Sequence, residues 1–184
     1  MQKHPFEWLS IKTQNRAFVV LLMITLIVMG GLQVLDGHLK TEIAPAGIVS
    51  FEFAGNVTNA KQILVSWGPR GATYAGMSLG LDFLFLFSYA GAIGLGCVLA
   101  ARGLSQRSKT FFLLAAPLAW GQLCAALLDA IENISLIQVL LGAESSLWPA
   151  LALWCAIPKF IIVAMGLLYI AVGVVLLMIK RPRD

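Results

Sequence analysis

Polar and apolar positions divide the chain into four long apolar runs, 17–35, 72–101, 111–141 and 149–179, joined by more polar stretches. At about 1.5 Å of rise per helical residue, each run is long enough to cross a hydrocarbon layer of roughly 30 Å. A backbone in hydrocarbon has to satisfy its own hydrogen bonds, so each run is expected to be a helix. The first run, Ala17 to Leu35, is almost wholly aliphatic, with Thr25 and Gln33 as its clear polar residues. The second contains Gly76-Met77-Ser78-Leu79-Gly80, a spacing of small residues that favours close helix contact. Pro117 is expected to kink the third. The fourth opens on Trp148-Pro149, where a proline is tolerated in the first turn.

The stretches between the runs differ in length. Residues 102–110 and 142–147 are short turns, but 36–71 is long and has apolar content of its own in Gly47-Ile48-Val49-Ser50-Phe51-Glu52-Phe53. Asn56 or Thr58 is placed to cap a short helix carrying Ala60, Ile63, Leu64 and Trp67 on one face, with Gly68-Pro69 stopping it. This segment is expected to fold as an ordered cap over one end of the helices. The alternative is an amphipathic element resting on lipid headgroups. The N-terminal residues, with Lys3, Lys12 and Arg16 around Phe6, Trp8, Leu9 and Ile11, are expected to form a short interfacial helix anchored by Trp8. No small-residue cleavage site follows the first run, so the start reads as a retained signal-anchor.

Charge then sets an orientation. Basic residues gather before the first run, in the 102–110 turn (Arg102, Arg107, Lys109) and at the end (Lys180, Arg181, Arg183). In a four-span chain these three places share one side, and the bias towards lysine and arginine in cytoplasmic segments puts both termini there. On the other side Lys40, Lys61 and Arg70 are balanced by Asp36, Glu42, Glu52 and Glu144. The expected fold is all-α: a single-domain, integral membrane four-helix up-down bundle over 1–184, with an extracytoplasmic cap between helices 1 and 2. The expected location is a bacterial inner (plasma) membrane.

Composition agrees with this class and removes others. Of 184 residues 59% are hydrophobic and 12% charged, with mean hydropathy +0.86. About 25% charged residues is usual in a soluble domain. The net charge of +4 does not indicate a nucleic-acid partner, because the basic residues flank the apolar runs. Cys97, Cys124 and Cys155 lie in apolar runs without a Cys-x-x-Cys pair, which argues against a thiol oxidoreductase. His4 and His38 lie outside the runs, which argues against a bis-histidine haem or a histidine-rich di-iron site.

The candidate chemistry is a set of ionisable residues inside the apolar runs. Asp129, Glu132 and Asn133 stand at i, i+3 and i+4 and share one helical face. Asp82 and Lys159 lie in the second and fourth runs. Counted from the outer boundary at about 1.5 Å per residue, all are near 15 Å deep. Hydrocarbon penalises charge, so groups at a common depth are expected to face one another. One outcome is an internal salt-bridge cluster with Asn133 and Gln122 satisfying lone pairs. The other is a ligand-binding pocket lined by Asp82, Asp129, Glu132, Asn133 and Lys159 and closed from the cap by Glu52 and Trp67.

Three functions remain. The first is a binding or accessory protein with a pocket in the outer half of the bundle for a lipid or small amphiphile. The second is a membrane-embedded enzyme acting on a lipid-like substrate through a carboxylate/lysine acid-base site. The third is a structural subunit whose partners are the other chains of a membrane complex. No His-Glu-x-x-His, nucleophile elbow or phosphate-binding glycine loop is present to name a reaction. No metal or cofactor is assigned.

Overall fold

The computed structural model describes residues 3–105 and 108–179, so Arg107, Lys180, Arg181 and Arg183 lie outside the described residues. Its elements are α1 (Ile11–Asp36), α2 (Ile48–Glu52), α3 (Val57–Leu104), α4 (Lys109–Leu140) and α5 (Leu147–Met178). The chain is all-helical among the described residues, and α1, α3, α4 and α5 are each long and apolar enough to cross a membrane.

Local chemistry accounts for where these helices begin. Ser10, Asn56 and Ser108 each place a side-chain oxygen against a backbone N–H of the first turn, at Thr13, Asn59 and Phe111. α5 lacks a side-chain cap and carries Pro149 in its first turn instead. Residues 5–9 form turns rather than the expected interfacial helix, and 11–16 belong to α1. Trp8 is exposed, and its indole N–H donates to the Pro5 carbonyl.

The Gly68-Pro69 break works differently from the sequence expectation. Asn56 does cap a helix bearing Ala60, Ile63 and Trp67 on its buried face. That helix does not end in a loop. Gly68 alone leaves helical geometry (φ 63°, ψ −174°), and the helix resumes at once. Pro69 lacks an N–H to return and carries a fixed φ suited to a new first turn, so a kink replaces a stop.

α3 is the central helix. It packs against α1, α4 and α5, and α4 also packs against α5. Close approach is allowed by glycines later in α3 than the Gly76 and Gly80 pair. A side chain at Gly91 would strike Leu21 of α1, and one at Gly96 would strike Ile170 of α5, whereas Gly80 faces open space. One apolar core lies beneath the α1–α3 connection, around Leu39, Phe51, Trp67, Leu79 and Leu136. A second lies further along α3, around Leu86, Tyr89, Ile93 and Tyr169. α1 contributes little to either. Its outward residues Val19, Val20, Met23 and Ile27 are all exposed.

The connection is held by polar bonds at both ends. Asp36 Oδ1 accepts from the Ile48 N–H at 2.8 Å. Gly47, with φ 58°, is required there, because a Cβ would collide with the Asp36 carboxylate. Trp67 Nε1 donates to the Leu39 carbonyl at 2.6 Å, and its ring packs edge-on against Phe51.

Candidate functional site

Four elements bring their ionisable or polar side chains to one region between the two cores. α4 supplies Asp129 and Glu132, one helical turn apart on its buried face. α5 supplies Lys159, which follows Pro158 and is buried. α2 supplies Glu52 at its last residue. α3 supplies Asp82 and Tyr89, two turns apart.

Lys159 is the centre of the contacts. Its Nζ donates to Asp129 Oδ1 at 3.0 Å. It lies 2.7 Å from Glu132 Oε2, an ion-pair distance without the alignment of a directed hydrogen bond. Glu52 Oε2 stands further off at 3.9 Å. The ammonium also sits 4.6 Å from the Phe160 ring centroid. Asp129 is engaged on both oxygens, since Tyr89 Oη donates to Oδ2 at 2.9 Å. Alongside this group, Asn133 Nδ2 donates to Asp82 Oδ2 at 2.6 Å.

Burial makes the arrangement expensive to disturb. Glu132 is fully buried, and neither of its oxygens receives a hydrogen bond. Glu52 Oε2 is likewise buried without a donor. Burial pushes the Glu52 carboxyl above its ordinary value, while Lys159 pulls it the other way. Removing one partner of a buried ion pair costs about 3–5 kcal/mol, because the remaining charge is stranded.

A cleft of about 560 Å³ opens beside the cluster. Its polar end is formed by Gln33, Glu52, Asp82, Tyr89, Asp129 and Lys159. From there it runs between α1 and α5. Phe18, Leu22, Leu26 and Met29 form the α1 wall, and Phe160, Val163, Leu167 and Ile170 the α5 wall. α3 forms the floor through Phe85, Ala92 and Ile93. From Phe18 to Gln33 the α1 wall is about 22 Å long at 1.5 Å per residue. A smaller cavity of about 130 Å³ adjoins the polar end and is lined in part by Asp36, Glu52, Ser78, Asp82 and Asn133.

The candidate residues therefore have different positions. Asp82, Asp129, Lys159 and Glu52 line the cleft, Glu132 lies behind Lys159, and Asn133 faces the smaller cavity. Trp67 is packed in the core under the connection, bonded to Leu39, and does not border the cleft. Gln122 donates to the Ile162 carbonyl on α5 rather than to the carboxylates. Among the described residues no group of three or more His, Cys, Asp or Glu side chains is placed to hold a metal ion.

Sequence reasoning missed Tyr89 as a member of the site. Its signal was available: Tyr89 follows Asp82 by seven residues and so shares its helical face, with Phe85 between them. No protein-family model, curated protein or solved structure matches the chain.

Proposed function

We propose that the chain is an integral membrane binding protein whose cleft receives a lipid or small amphiphile. The observation that carries this is the cleft itself, apolar along two helices and ending at buried carboxylates and a lysine. An amphiphile matches both ends, with its chain against α1 and α5 and its head at Glu52, Asp82, Asp129 and Lys159. Pockets for such ligands are largely apolar, with a few placed polar groups. No substantial α1–α5 packing closes the cleft, which supports entry from the side, out of the surrounding lipid.

Native mass spectrometry of the purified protein tests this reading. A retained amphiphile is expected, and Val163→Trp, which fills the cleft, is expected to release it. Absence of any retained amphiphile, or equal retention by the variant, would overturn the proposal. Catalysis on a lipid-like substrate is the second reading, favoured by Lys159 lying between Asp129 and Glu132 at the polar end. Conversion of the retained lipid by the unmodified chain but not by Lys159→Met would select it.

The same proposal includes the orientation. We place both termini in the cytoplasm and the 36–71 cap and 142–147 turn outside, in one up-down bundle forming a single domain of a bacterial inner membrane. Support comes from the basic residues flanking the spans. Cysteine introduced at exposed Ser145 should react with an impermeant maleimide on intact cells. Cysteine at exposed Ser105 should react only after lysis, and the reverse pattern would invert the assignment.

A further inference from the structure

The charge balance at the polar end of the cleft, together with its hydrogen-bonding deficit, narrows the ligand. This step rests on the cleft being an amphiphile site. Glu52, Asp82, Asp129 and Glu132 meet there, and Lys159 is the cation among them. The ammonium of Lys159 is already committed to Asp129 and Glu132, at 3.0 and 2.7 Å. Asp129 is engaged on both oxygens, by Lys159 and Tyr89. Glu52 is not: its Oε2 is buried, 3.9 Å from Lys159 and without a donor, and the side chain within hydrogen-bonding reach of its carboxyl is another acid, Glu132. Asp82 lines both the cleft and the adjoining cavity, with Asn133 as its donor. The site therefore has acceptors in surplus and lacks donors.

We propose that the head bound at this end is a primary ammonium, carried on an apolar chain that lies between α1 and α5. An ammonium brings three N–H donors and no acceptor, which answers the deficit at Glu52 and Asp82. It also offsets negative charge in a region where hydrocarbon makes uncompensated charge costly. A phosphate or carboxylate head would add further acceptors to that surplus. A hydroxyl head supplies one donor and leaves the charge balance unchanged. A quaternary ammonium carries charge but no N–H, and it is best held by a cage of aromatic faces. Here the groups nearest the head are carboxylate oxygens, and the aromatic rings, Tyr89 at the polar end, Phe85 on the floor and Phe160 on the α5 wall, stand beside them.

The test is a head-group series on the full chain in neutral detergent at pH 7, read by native mass spectrometry and by thermal stability. Hexadecylamine, hexadecanol, hexadecyl phosphate and hexadecyltrimethylammonium share one chain length and differ at the head. Hexadecylamine is expected to bind at least about tenfold more tightly than the other three, equivalent to about 1.4 kcal/mol. Asp82→Asn and Glu52→Gln are each expected to weaken the amine severalfold and hexadecanol less, so that the gap between the two heads narrows. Tighter or equal binding of the phosphate, the alcohol or the quaternary ammonium would overturn the ammonium assignment and leave the amphiphile cleft standing. Failure of all four to bind would overturn the cleft reading as well. The series needs only the unmodified protein, so an unstable variant does not block the decision.

Discussion

Lys159 holds two carboxylates from α4 and approaches a third from α2, so its substitution acts on several elements together. Lys159→Met should destabilise the protein by about 3–5 kcal/mol, because Asp129 and Glu132 are left as buried acids without their cation. Asp129→Asn keeps an acceptor for Tyr89 and loses the ion pair. In a double-mutant cycle on thermal or denaturant unfolding, the two changes should couple by about 0.5–3 kcal/mol, whereas additive effects would show that the pair acts independently. Glu52 offers a pH signature. Its carboxyl is raised first by burial, opposed by Lys159, and raised again by Asp129; Glu132 and Asp36 also face it. A group with a raised folded pKa favours the fold fully below its ordinary value of 4.5 and loses that contribution as pH rises through the folded value. The melting temperature of the unmodified chain should therefore fall more as pH rises from 4.5 than that of Glu52→Gln.

At the scale of elements, the asymmetry lies in α1. It leans on α3, and the flank next to that contact borders the cleft. Gly91 sits where Leu21 comes in, so Gly91→Leu should push α1 outward. Hydrogen exchange in micelles is expected to rise in α1 and stay unchanged at the α4–α5 contact. Much of this arrangement was legible in the sequence, because hydrocarbon allows few ways to place Asp82, Asp129 and Lys159. Their shared depth pointed inward, and the structure does bring the last two into contact. The cleft was not legible, since its α1 wall is built from aliphatic residues such as Leu22, Leu26 and Met29 that look the same facing lipid or ligand. Trp67 illustrates the converse. It lies in the cap segment as expected, but one hydrogen bond to Leu39 turns it into the core, and periodicity alone does not encode that bond. Of the aromatic residues at alternate positions 85, 87 and 89 of α3, Phe85 and Tyr89 face the cleft and Phe87 is exposed.

For the whole molecule, the outward surface is as informative as the interior. Ile161 follows Lys159 by two residues, about 200° around the helix, and is 56% exposed. It is at almost the same level as the buried ammonium but faces outward. Ile161→Lys should raise the apparent insertion free energy of that segment by about 2.5–3.5 kcal/mol, measured by membrane-integration assay, although Lys159 is tolerated on the opposite face of the same helix. A similar cost at both positions would mean that the cluster gives Lys159 no shelter.

The N-terminal residues have a mechanical bearing on the cleft. Gln14 Nε2 donates to the carbonyls of Phe6 and Leu9, Arg102 donates to Gln14 at 2.6 Å, and Trp120 Nε1 reaches the Lys3 carbonyl. These bonds fasten the start of α1 to α3 and α4, while Asp36 fastens its end to Ile48. A rod clamped at both ends and unsupported along one flank bows most at mid-length, near Thr25 and Leu26. If the cleft takes an amphiphile as proposed, the bending stiffness of that single rod sets how wide the passage opens, and how bulky a tail can slip through.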